Sequence, residues 1–139
     1  MKFKSLFFIG CLTLLSTAYA DDRYIHPATT PADAKAAKNM MTPGYCEIEV
    51  LNRSYDDVRV YGVYDDFTPM KAFKVYSYGS AVYISLFYNG YCHSGMNLFV
   101  DNWDDDYNIF TGYVKTNTTL RIVPYYNLTN KLKVEILPK

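Results

Sequence analysis

Two short segments of the 139-residue chain concentrate side chains that could do chemistry. Cys92-His93-Ser94-Gly95-Met96 offers a thiol, an imidazole and a thioether in one stretch, the ligand types of a blue-copper centre. The spacing is wrong for one: cysteine and histidine are adjacent, and the only other histidine is His26, far upstream. A looser metal site would rest on His93 and Met96. The second segment, Asp101-Asn102-Trp103-Asp104-Asp105-Asp106, offers carboxylates and an amide, hard oxygen donors of the kind calcium takes. An EF-hand loop starting at Asp101 would need glycine where Asp106 stands and glutamate where Gly112 stands. A solvated acidic turn is the simpler reading. No metal ligand and no cofactor is therefore assigned.

Enzyme chemistry has little to work with. No Gly-x-Ser-x-Gly, His-Glu-x-x-His or phosphate-cradling glycine loop occurs. Neither histidine has the nucleophile context of a catalytic triad. Paired carboxylates for glycoside cleavage are defined by their separation in space, which chain spacing does not report. The expectation is a protein that is not an enzyme, with no catalytic residue.

Aromatic surplus is the better lead. Aromatics make up 17% of the chain, and 15 of them are tyrosine, more than one small core absorbs. Rigid amphipathic rings anchor protein interfaces and stack on sugars. If Val82, Ile84, Leu86 and Tyr88 face inward on one strand, Tyr83 and Phe87 face outward. Phe99 likewise opposes Leu98 and Val100, Trp103 sits at a turn tip, and Tyr125 and Tyr126 lie in a turn region. Tyr83, Phe87, Phe99 and Trp103 are the candidate partner-binding residues. The competing reading is that both sheet faces are covered and the rings are core.

The elements that must position these residues begin after a leader. Lys2 and Lys4, an apolar run from Leu6 to Leu15 and the ending Ala18-Tyr19-Ala20 have the order of a cleavable signal peptide, residues 1–20, of bacterial style. The run is shorter than the about 20 apolar residues of a membrane helix. A lipoprotein cut before Cys11 would leave too few apolar residues ahead of it. Removing 20 residues from 139 leaves 119, and loss of Lys2 and Lys4 takes 14 basic residues to 12, against 14 acidic. That balance gives no footprint for nucleic acid or an anionic membrane. The mature chain is expected in the periplasm or outside the cell, without membrane insertion. With Cys11 removed, Cys46 and Cys92 form an even pair in an oxidising compartment and read as a disulfide.

Residues 21–44 read as an N-terminal arm. Thr30 suits the N-cap, Pro31 the first helical position and Asp33 the third, so a short helix is predicted at about 31–41, stopped by Thr42-Pro43-Gly44. From Tyr45 the apolar period becomes two, as in Cys46, Ile48 and Val50, then Val58, Val60 and Tyr64. About seven or eight such strands across 45–139 predict an all-β domain. An antiparallel β-sandwich, immunoglobulin-like or related, is favoured over a small barrel. The tryptophan that packs on the bridge of an immunoglobulin domain has no counterpart, because Trp103 lies in the acidic turn. The function expected is a secreted or periplasmic non-catalytic binding module, docking a protein or glycan partner through exposed aromatics. The alternatives are a secreted inhibitor of a host or competitor hydrolase, presenting residues 89–96 or 101–106, and a small metal-handling protein using His93 and Met96.

Overall fold

The computed structural model describes residues 23–39, 45–126 and 131–139. The expected signal peptide and the last expected helical residues lie outside them. Alternation of branched apolar with polar side chains decides where strands form. In β3 (Val58–Tyr64) the residues alternate strictly between buried and half-buried. In β2 (Glu47–Asn52), Ile48 and Val50 are fully buried. The described elements in order are β1 (Arg23–Tyr24), α1 (Pro31–Asn39), β2, β3, β4 (Pro69–Val75), β5 (Val82–Ser85), β6 (Phe87–Tyr88) and β7 (Tyr91–Cys92). They are followed by β8 (Gly95–Asn102), β9 (Asn108–Lys115), β10 (Thr118–Pro124) and β11 (Leu132–Pro138).

The fold is all-β with several antiparallel pairings. One sheet has the order β1-β5-β2-β10-β11, another β4-β3-β8-β9, and β6 with β7 forms a small ribbon. Ile48, Ile84, Leu120 and Ile122 of the first sheet join Val58, Val60, Leu98 and Val114 of the second in one fully buried cluster. Each such side chain contributes about 1.5–3 kcal/mol on burial. Tyr24 stacks flat on Phe73 at 3.9 Å between ring centroids, joining the edge strands β1 and β4 of the two sheets. β2 pairs with β10, and β1 with β5, in parallel. Immunoglobulin sheets pair antiparallel, so these registers do not confirm an immunoglobulin-like order.

Phe87 is a correction. The chain leaves β5 after Ser85, and the Leu86 N–H donates to the Cys46 carbonyl at 2.8 Å. Phe87 then enters the ribbon against which α1 packs. The face expected to be outward is covered, and Phe87, 5% exposed, belongs to the core.

That helix and ribbon close one end of the fold. Thr30 and Asp33 bond reciprocally, each backbone N–H to the other's side-chain oxygen at 3.1 Å, in the manner of a capping box. The other Asp33 carboxylate oxygen accepts the Gly90 N–H at 2.9 Å, tying the helix to the ribbon turn. Beneath them Tyr88 is sandwiched between His26 and His93, with centroids 3.9 and 3.6 Å apart. His26 Nδ1 accepts the Ala28 N–H, which leaves Nε2 to face Asp66 at 2.9 Å. His93 Nε2 donates to the Tyr88 carbonyl at 3.1 Å. Burial in this stack pushes the Tyr88 phenol up to about 12 and raises that of Tyr64 well above its ordinary value.

Cys46 and Cys92 are disulfide-bonded at the same end, with Cα atoms 5.6 Å apart and a sequence separation of 46. Closing a loop of that length removes chain entropy equivalent to about 4 kcal/mol. A Cys46→Ala, Cys92→Ala double variant is expected to lose stability on that scale in urea unfolding. An unchanged midpoint would show that the bridge contributes nothing.

Candidate functional site: the tyrosine-bearing loop end

The strand registers gather four turns at the end opposite the helix. Val58 pairs with both Val75 and Asn102, Val50 with Val82, Asn52 with Ile122, and Pro124 with Leu132. Turns 53–57, 76–81 and 103–107, with residues 125, 126 and 131, therefore share one end. They carry Tyr55, Tyr76, Tyr78, Trp103, Tyr107, Tyr125 and Tyr126. Five of these tyrosines are between 41% and 90% exposed, while Trp103 and Tyr107 are half-buried.

Two buried amides tie together turn 53–57, the end of β4 and turn 103–107. The Asn52 amide group donates to the carbonyls of Asp56 at 2.8 Å and Val75 at 3.2 Å, and its oxygen accepts from the Ser54 N–H and hydroxyl. All four bonding positions of that side chain are filled. Asn102 donates to the Asp56 carboxylate at 3.0 Å and accepts the N–H groups of Asp104 and Asp105. Turn 53–57 is the hub. Ser77 donates its N–H to Asp57 and its hydroxyl to the Ser54 carbonyl, and the Trp103 N–H donates to the Asp57 carbonyl.

Cations brace the rings from beneath. Lys74 lies 4.7 Å from the Trp103 centroid and 5.1 Å from that of Tyr76, while it pairs with Asp57 at 3.1 Å. Arg59 lies over the other part of this cluster, 5.1 Å from the Trp103 centroid, and pairs with Asp106 at 3.0 Å. Lys131 sits over Tyr107. Cation–ring contacts of this kind contribute about 0.5–1 kcal/mol each at exposed sites. The acidic turn is thus shaped by Asn102 and countered in part by Arg59, and among the described residues no group of three or more His, Cys, Asp and Glu side chains could hold a metal ion. Tyr78 is held at φ 50°, a left-handed conformation that costs a bulky residue about 1–2 kcal/mol. The Gly79 N–H to Tyr76 carbonyl bond at 3.0 Å closes that turn.

The four candidates from the sequence are not brought together. Trp103 belongs to this end. Phe99 lies mid-strand on the outer face of the four-stranded sheet, stacked on Tyr61 at 5.0 Å. Tyr83 lies on the outer face of the other sheet, with Arg23 and Lys139 over its ring. Phe87 is core. His93 and Met96 are both buried, and the His93 ring is engaged by Tyr88 and Tyr91. Residues 89–96 belong to the closed end, with Gly95 buried beneath. Tyr55, Tyr76, Tyr78 and Tyr107 went unselected in the sequence, although all fall in turns between strands. No protein-family model matches the chain, and comparison with curated proteins finds no match either.

Removing Asn52 leaves buried backbone groups unpaired, so Asn52→Ala is expected to cost about 3 kcal/mol in chemical denaturation. A loss under about 0.5 kcal/mol would mean the turns hold without it. The Ser77 N–H, and after it Lys74, keep the Asp57 carboxyl below the ordinary aspartate range. The folded state therefore binds this proton less readily than the unfolded one. Its stabilisation is complete above about pH 4, the unfolded value, and is lost as pH falls through the lower folded value. Trp103 fluorescence should report that loosening on acidification, and Asp57→Asn should flatten the profile.

Proposed function

We propose that the protein is an exported, non-catalytic binding module that docks a protein or glycan partner through the tyrosine-bearing end of a two-sheet β-sandwich. The observation that carries this reading is the gathering at one end of exposed Tyr55, Tyr76, Tyr78, Tyr125 and Tyr126, beside turns 53–57, 76–81 and 103–107 that Asn52, Asn102 and Ser77 tie together. Tyrosine presents a large amphipathic area with two side-chain torsions, so little entropy is lost on contact. Turns already cross-linked before binding avoid a further ordering cost.

Export is supported by the disulfide, which suits an oxidising compartment. No helix among the described residues is long and apolar enough to cross a membrane. Neither histidine lies at the loop end, so no imidazole acid or base serves there.

The test compares three forms of the protein for capture of partners from envelope and host extracts and on a glycan array. Tyr78→Ala combined with Tyr126→Ala is expected to lose at least tenfold in retention of whatever the wild type binds. Phe67→Ala, 87% exposed at the closed end, is expected to retain it. Equal losses in both variants, or none in the first, would move the site elsewhere.

A further inference from the structure

A slot of about 640 Å³ runs beside the loop end, between the edge of β4 and the edge formed by β1 and β5. Tyr24 and Tyr76 supply rings to it, Lys71 and Lys74 cations, and Ser80 a hydroxyl. Its size is in the range of about 300–1,000 Å³ common for small-ligand sites.

The edge itself turns away an added strand. β4 begins at Pro69, which has no N–H to give. Its register with β3 then passes from Met70 opposite Gly62 to Phe73 opposite Val60. Lys71 and Ala72 together oppose Tyr61, a bulge that bends the edge and interrupts its ladder. Neighbouring residues of a regular strand point to opposite faces, yet Lys71 and Ala72 are both exposed and both line the slot. A bulge, a lysine and a proline are the means by which sheet edges refuse further strands. Recognition here falls to side chains.

Those side chains select a charge. No aspartate or glutamate lines the slot. Lys74 is already committed to Asp57 and the Trp103 ring, whereas no ion pair engages Lys71 among the described residues. One uncommitted ammonium group suits one carboxylate. It falls short of the run of cations a nucleic-acid backbone needs. Flat tyrosine rings beside a hydroxyl suit the faces and hydroxyls of sugar rings.

We propose that the slot binds a carboxylate-bearing sugar unit of a glycan, with Lys71 pairing the carboxylate and Tyr76 stacking on the ring. This rests on the binding-module reading and selects the glycan as its partner class. The test is affinity electrophoresis of the protein in gels carrying polygalacturonate, alginate or polysialate, each beside its carboxyl-methylated form. At least one acidic polymer is expected to retard the wild type, binding at least tenfold more tightly than its methylated form. Lys71→Ala should lose that difference while keeping the wild-type thermal midpoint, and Phe67→Ala should keep it. Retardation by none of the three polymers, equal retardation by a methylated form, or indifference to Lys71→Ala overturns the proposal. In those cases, continued loss of partner capture by the Tyr78, Tyr126 double variant leaves the loop-end reading standing. Capture unaffected by that double variant removes both.

Discussion

Two buried asparagines, Asn52 and Asn102, set the shape on which everything at the loop end depends. Each lies at the last residue of a strand, β2 or β8, where the ladder stops and the backbone would otherwise meet the core with unpaired polar groups. An amide is suited to that position because it donates and accepts at once. Asn52 closes its own turn and reaches β4, while Asn102 shapes the acidic turn and reaches Asp56. A buried network is costly when half-satisfied and rigidifying when complete. The Asn52 side chain is completely satisfied, and the rings above it inherit that rigidity.

The two ends of the fold are built by different means. At one, the disulfide, the capped helix and the His26–Tyr88–His93 stack fill the space with covalent and aromatic contacts. At the other, no element covers the described turns, and polar bonding among the turns replaces burial. Tyrosine serves both, with Tyr64 and Tyr88 sealed at the closed end and Tyr78 and Tyr126 held out at the open one. Residue type alone does not separate these roles; position along the strands does.

Much of the framework was legible in the chain. Period-two alternation marks the core residues Ile48, Val50, Val58, Val60, Leu98 and Val100, which are fully buried. The Thr30 and Asp33 spacing spells the reciprocal hydrogen bonds seen there, and parity of cysteines spells the bridge. What alternation does not report is where a strand ends. Val82 to Tyr88 keeps its inward set buried, but the break at Leu86 places Phe87 beneath the helix instead of outside. The convergence of His26 and His93 on opposite faces of Tyr88 was equally hidden, because it joins the arm to a ribbon far along the chain. The tyrosine end left a usable trace. Strands of alternating direction put every second connection at one end, and the tyrosine-bearing turns at 55, 76–78, 107 and 125–126 occupy that parity.

That parity has a consequence for how such a chain can diversify. At the open end turns 53–57, 76–81 and 103–107 bond to one another, while the intervening connections meet the arm, the bridge and the helix. Replacing or lengthening turn 53–57 or turn 103–107 is expected to leave the sheet ladders and the sealed end intact, provided Asn52 or Asn102 at its base remains. Variation of the open end and foldability are thereby separable heritable traits. On the binding-module proposal, a lineage carrying this scaffold would drift in what it recognises without rebuilding the body that presents it.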